Sequence, residues 1–269
     1  IYKAQGQLDL ALEFQLKALT IREAVLDPKH PDLATSYNNV SQIYLAQGQL
    51  DLALEFQLKA LEIQKAVLDP KHPNLATSYN NVSQIYLAQG QLDRALEFQL
   101  KALTIREAVL DPKHPLRATS YNNVSLIYKA QGQLDLALEF QLKALTIREA
   151  VLDPKHPSLA TSYNNVSMIY KNLGQLDLAL EFQLKDIEIS EKILGEKHPD
   201  LAASYHNLSW IYRDLKDFPS AQKYAEKAVA IMETVFPHGH PNLDVMRRNL
   251  EGIKEEVKKP TTYSAALVR

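Results

Sequence analysis

The chain contains no cysteine. Disulfides, thiolate nucleophiles and thiolate zinc sites are therefore excluded, and the composition suits a reducing cytoplasmic compartment. Charge of one sign is also missing: 30 Lys and Arg stand against 32 Asp and Glu, a formal net charge of −2. A general nucleic-acid binder needs an excess of basic side chains to displace counterions, so that class is set aside. No apolar run approaches the roughly 20 residues that span a bilayer, and no signal peptide is visible. Eight Gly and 13 Pro in 269 residues are too few for a fibrous or disordered chain. Catalytic constellations are absent too. There is no Gly-rich phosphate loop and no Ser-His-Asp arrangement. Carboxylates such as Glu55, Glu62 and Asp69 are scattered. The expectation is a non-enzymatic protein without cofactor or metal.

What is present is a repeat. Asp-Pro-Lys-His-Pro recurs, and His30, His72, His114, His156, His198 and His240 are 42 residues apart, each followed by Pro. A period between 20 and 50 residues marks a stacked array. The six His do not read as a metal site. Stacked helices lie about 8–10 Å apart, whereas ligands must all come within about 2 Å of one ion. Helix capping or turn packing is the better reading. His238 and His240, with Gly239 between them, lack a carboxylate companion.

Each unit predicts two helices. The first runs over about 32–46, with Pro31 at its opening and Gly48 as a left-handed C-terminal cap. Its apolar stripe is Tyr37, Val40, Ser41 and Tyr44. The second runs over about 50–68 and stops at Asp69-Pro70, because Pro cannot continue it. It has two stripes: Ala53, Phe56, Ala60, Ile63 and Val67, and Leu50, Leu54, Leu61 and Leu68. A helix apolar on two sides must be sandwiched.

The organisation predicted is one array over 1–258. A partial repeat, 1–30, precedes full repeats 31–72, 73–114, 115–156, 157–198 and 199–240. A capping helix, 241–258, has Arg247, Glu251 and Lys254 where the second repeat has Tyr37, Ser41 and Tyr44. A polar outer face suits a terminal cap. The lone helix 8–27 lacks a partner and is expected to expose apolar surface, so self-association through this end is one expectation. Residues 259–269 have no pattern and read as a flexible tail.

These residues resemble the tetratricopeptide repeat family. The pattern Trp-x₂-Leu-Gly-x₂-Tyr, then Ala-x₃-Phe, then Pro appears as Tyr37-x₂-Val40-Ser41-x₂-Tyr44, then Ala53, then Pro70. One departure is that the aromatic stands at Phe56, with Gln57 at the family's position. The 42-residue period, the Asn-Asn pair and the Lys-His-Pro turn are similar to the kinesin light chain and nephrocystin-3 subgroup. The resemblance covers residues 1–258. It implies an all-α, right-handed superhelical solenoid of antiparallel helix pairs, and a protein or peptide as partner. It also implies that the first helices line a concave groove. There Asn39, Asn81, Asn123, Asn165 and Asn207 would bond the backbone of a bound peptide; the alternative is that they tie one repeat to the next.

Four of the repeats are nearly copies, so positions that differ carry more information than positions that recur. Three residues beyond Asn39 the series reads Gln42, Gln84, Leu126, Met168, Trp210. Three further on it reads Leu45, Leu87, Lys129, Lys171, Arg213. By helical spacing both lie opposite the core stripe. An apolar strip beside a basic one fits a peptide with apolar and acidic residues. The competing reading is that Met168 and Trp210 pack inward or against the cap. A carboxylate clamp is not supported, since Thr35, Asn38, Asn39 and Gln42 occupy its positions. The favoured function is a protein-interaction scaffold. The alternatives are the sensor array of a larger signalling ATPase and a self-associating spacer.

Overall fold

The computed structural model describes residues 7–259, and all its regular structure there is helical. Twelve helices follow one another in antiparallel pairs: α1 (Leu8–Val25), α2 (Pro31–Ala46), α3 (Leu50–Val67), α4 (Pro73–Ala88), α5 (Leu92–Val109), α6 (Pro115–Ala130), α7 (Leu134–Val151), α8 (Pro157–Asn172), α9 (Leu176–Ile193), α10 (Pro199–Asp214), α11 (Phe218–Val235) and α12 (Pro241–Lys258). The chain divides into two compact units, 1–147 and 148–269. The expected tail lies, from residue 260 on, outside the described residues, as do residues 1–6.

Local chemistry sets the helix boundaries. At each even-numbered helix the imidazole Nδ1 of His30, His72, His114, His156, His198 or His240 accepts the backbone N–H two residues on, at 3.1 Å. Histidine thus does the work usually given to Ser or Asp at an N-cap, satisfying one of the orphan donors of the first turn. Pro follows at the first helical position, where its missing N–H costs nothing. Just before each of the first four, an aspartate holds the turn: Asp27 Oδ1 accepts the Lys29 N–H at 2.8 Å, and Asp69, Asp111 and Asp153 repeat the contact. At the other end Gly48 has φ +74°, which only glycine adopts freely. The last full pair replaces it with Lys216, the only non-glycine among the described residues with positive φ.

Within a pair the helices touch closely because the contact residues are small. Ser41 is fully buried and its hydroxyl donates to the Ala53 carbonyl at 2.7 Å. Ser83, Ser125 and Ser167 do the same to Ala95, Ala137 and Ala179. The Phe56 ring then closes the pair from the side, 6.0 Å from Tyr37 and 5.6 Å from Tyr44. In the first unit Leu61, Leu75, Val82, Tyr86, Ala95 and Ile105 form one continuous core. In the second, Ile187, Leu201, Leu208, Met232, Met246 and Ile253 form another.

One expectation needs correction. Val67 does not belong to the core: it is 42% exposed. It sits in the last turn of α3, where the chain leaves the helix, and Leu68 takes the contact with the core instead. A further finding concerns Gln57. Its side chain is completely buried, as are those of Gln99, Gln141 and Gln183, whereas Phe56 is only partly covered. The family's aromatic position is therefore an interior amide here, with the ring displaced to the margin.

Candidate partner-binding face

Seven residues of α8 and α10 bring the drifting positions of the second unit together. On α8, Thr161, Asn164, Met168 and Lys171 share a face at helical spacing; on α10, Ala203, Asn207 and Trp210 do. The two faces meet through side chains. Asn207 Nδ2 donates to Asn164 Oδ1 at 2.8 Å. Lys171 Nζ lies 3.0 Å from the Asp214 carboxylate and 5.2 Å from the centre of the Trp210 ring.

Three neighbours fix Trp210: Lys171, Arg213 and His206. Arg213 stacks its guanidinium 4.0 Å over the ring, and the indole N–H donates to His206 Nε2 at 3.0 Å. Cation–π contacts of this kind are worth about 0.5–2 kcal/mol each. Arg213 is in turn steered by Asn249 Oδ1 at 3.3 Å, and Asn249 Nδ2 donates to Ser209 at 3.0 Å. Burial pushes the His206 imidazole down to about 4, with the Arg213 charge adding to the effect. His206 is therefore neutral near pH 7 and able to accept the indole proton. The Trp210 side chain stays partly open to solvent, as do Met168 and Arg213.

In the first unit the matching positions are less organised. Leu126 is 39% exposed. Burial lowers the ammonium pKa of Lys129. The Asn side chains pair from repeat to repeat: Asn81 Nδ2 to Asn38 Oδ1 at 3.0 Å, and Asn123 Nδ2 to Asn80 Oδ1 at 2.9 Å. Each Asn of the Asn39 series that forms such a bond spends one donor on the preceding repeat; its carbonyl remains an acceptor. Asn39 itself is exposed, and Asn165 is half-buried.

The fourth full pair differs from the others beneath this face. Arg106 and Arg148 run under the first helices of their neighbouring repeats and donate to Ser120 and Ser162; at the matching place in α3 the direction reverses, and the Ser78 hydroxyl donates to the Gln64 amide oxygen. The corresponding residue of α9 is Ser190. Four residues earlier, where the other second helices carry Ala60, Ala102 and Ala144, α9 carries Asp186. Asp186 is 2% exposed. Gln183 Nε2 donates to it at 2.7 Å, Ser190 at 3.0 Å, and Ser204 also bonds it. Burial outweighs these donors and pushes the carboxyl up to about 6. Neither Asp186 nor Ser190 was singled out from the sequence, although both break the repeat; His206, Asp214 and Asn249 complete the set of residues that pattern reading did not assign to the site.

Among the described residues no group of three or more His, Asp or Glu is placed to hold a metal. None of the described helices is long and apolar enough to cross a membrane. On α1, Leu10, Ile21 and Val25 are 42%, 65% and 72% exposed.

No curated protein matches the chain in sequence. Among solved structures, one from Podosopora anserina, a kinesin light chain-like protein with nearly identical TPR-like repeats, is 28% identical, with a TM-score of 0.68 over 77% of this chain and 98% of its own. BtubC (BKLC) from P. vanneervenii is 22% identical, with a TM-score of 0.73 over 87% of this chain and 94% of its own. YrrB, described as a TPR protein with an unusual peptide-binding site, is 20% identical, with a TM-score of 0.51 over 82% and 93%. The tetratricopeptide repeat family matches residues 1–66, 43–108, 75–150, 116–185 and 158–234. With helix pairs at a 42-residue period and a family match running through most of its length, the chain belongs to the tetratricopeptide repeat family.

Proposed function

We propose that this protein is an interaction scaffold and that the α8–α10 face of residues 148–269 takes a partner segment carrying an apolar side chain flanked by carboxylates. The observation that carries the reading is Trp210 between two cations, Lys171 at 5.2 Å and Arg213 at 4.0 Å. Aromatic and Arg side chains are favoured anchors at interfaces. Here both are pre-positioned by His206 and Asn249, which lowers the ordering cost of binding. The family supports the same class of function, and one fold neighbour, YrrB, is described as having a peptide-binding site.

Trp210 is the only tryptophan of the chain, so its emission reports on this face alone. A Trp-free peptide with Glu on both sides of Leu serves as the probe. Titration should change the Trp210 emission saturably, and the affinity should fall as salt rises from about 0.05 to about 0.5 M, because exposed charge pairs are screened. The Trp210→Ala variant, followed by calorimetry, should lose affinity while its melting temperature changes little. A variant that melts early yet binds normally would place Trp210 in the core and remove the site; salt-independent binding would remove Lys171 and Arg213 from it.

The exposed apolar side chains of α1 favour a second reading, self-association. Sedimentation of the chain should then depend on concentration, and Ile21→Asp with Val25→Asp should abolish that dependence. Association unaffected by these changes would rule α1 out.

A further inference from the structure

Asp186 and the space beside it are not used by the Trp210 cluster. A cavity of about 220 Å³ opens here, lined by Thr161 and Asn164 of α8, Asp186 and Ser190 of α9, and Asp200 and Ser204 of α10, among others. That is several times the roughly 30 Å³ a water molecule takes in the liquid. Two of the lining residues are carboxylates. Among the described residues Asp186 has no cationic partner within ion-pair distance, and Asp200 has only the His198 imidazole at 3.7 Å.

The repeat explains what the cavity lacks. Where Arg106 and Arg148 stand, a guanidinium lies in this place and donates to the serine of the next first helix. Burial lowers the pKa of both, so the protein does desolvate a guanidinium here. At α9 the arginine has become Ser190, the serine remains as Ser204, and a carboxylate has been added at Asp186. The site has lost its own cation and gained the counter-charge for one. A buried carboxylate without a cation is costly, and a guanidinium is the group that best matches its two oxygens.

We infer that the cavity beside Asp186 receives a guanidinium side chain from the partner, seated between Asp186 and Ser204 where neighbouring repeats place their own arginine. The inference rests on the proposed reading of the α8–α10 face as a binding surface, and it names a second side-chain class for it. Ala203 and Trp210 share one face of α10 and are seven residues, about 10 Å, apart. An extended partner would bridge that distance with about three residues. The partner segment then carries an arginine at one end and an apolar-acidic element at the other.

The test uses the whole chain and a minimal probe, N-acetyl-arginine N-methylamide, with the uncharged citrulline analogue as control. Backbone amide shifts of Asp186, Ser190 and Ser204 are followed by NMR. The arginine probe should produce saturable shifts at these residues, and the citrulline analogue should bind more than about tenfold more weakly, since only the charge-assisted bonds differ. Asp186→Asn should weaken the arginine probe by a similar factor. The double variant Asp186→Ala with Ser190→Arg restores the residues of the other repeats, so it should fold, fill the cavity and abolish the shifts. Equal shifts from both probes, no shifts from either, or binding that survives in the double variant would overturn the inference. The two proposals separate cleanly. An acidic peptide that changes Trp210 emission while the arginine probe leaves Ser204 unmoved refutes only this one; the reverse pattern refutes only the acidic-peptide reading.

Discussion

Replacing Asp186 by Asn should make the second unit more stable near neutral pH and remove part of its pH dependence. The carboxyl is pushed up from 3.8 to about 6 in the folded chain, chiefly by burial. One pKa unit corresponds to about 1.36 kcal/mol, so the ionised carboxylate costs the fold about 3 kcal/mol near pH 7. Because the folded state binds the proton more tightly than the unfolded one, stability is gained as pH falls through about 6. Most of the cost should be gone by about pH 4, near the pKa of an unfolded Asp. Asn keeps the size and one acceptor oxygen without the charge. His206 acts in the opposite sense. Its imidazole is held down at about 4, so it loses stability for the fold as pH falls toward that value. Wild-type stability alone would therefore show little. The difference between wild type and Asp186→Asn isolates the carboxylate. Urea titrations followed by Trp210 emission, which reads residues 148–269 alone, supply that difference at successive pH values. It should favour the variant near pH 7 by up to about 3 kcal/mol and close toward pH 4. A difference that is flat with pH, or that widens on acidification, would refute the argument that Asp186 is a buried charge without a counter-ion.

Four further outcomes are expected. Gln99 is completely buried and neither its amide oxygen nor its nitrogen has a hydrogen-bond partner, so Gln99→Met should raise stability in denaturant titrations by about 1–3 kcal/mol; a loss would mean that the amide is satisfied in solution. Leu61 is 4% exposed within the first unit's core, and Leu61→Ala should cost about 2–5 kcal/mol by circular dichroism, whereas a cost near zero would contradict a helix covered on two sides. Asp214 occupies Lys171 at 3.0 Å and competes with an incoming carboxylate. Asp214→Asn should therefore tighten the acidic peptide several-fold in the Trp210 titration, and unchanged affinity would show that Lys171 plays no part. Lys216 holds φ 65° where the other pairs have glycine; Lys216→Gly should stabilise by about 1 kcal/mol, read as an upward shift in melting temperature.

Periodicity made the fold legible almost residue by residue. Pro31 and Gly48 bracket α2 because their backbone requirements are local and unambiguous, and the repeat supplies the same evidence several times over. What misled was the ends of elements and the inside of pairs. Val67 continues the apolar stripe of α3 on a helical wheel, but a wheel cannot show that the last residue of the helix is left uncovered while Leu68 packs on the core. Gln57 is visible as a departure from the family pattern, but its burial is not, since burial of an amide has no periodic signature. Trp210, Lys171 and Arg213 were found because they drift along the array. Their partners His206, Asp214 and Asn249 lie one turn away or on α12, and only the packing brings them to the ring.

The rule that located Trp210 also explains why Asp186 stayed hidden. Variation was weighed on the first helices, which resemblance assigns to the groove, and not on the second helices, which the stripes assign to the core. Yet a second-helix substitution reaches the same face from below. Arg148 passes under α8 to Ser162, and losing that arginine at Ser190 opens the surface from inside the repeat. The change is paired: a cation is removed at one position and an anion added four residues away, one turn along the same helix. Drift without function would rarely add a charge to a buried position, because an unpaired buried carboxylate is destabilising and selected against unless something offsets it. Hydrogen bonds from Gln183, Ser190 and Ser204 offset part of that cost, but among the described residues no cation completes it, so the partner is the place to look for one.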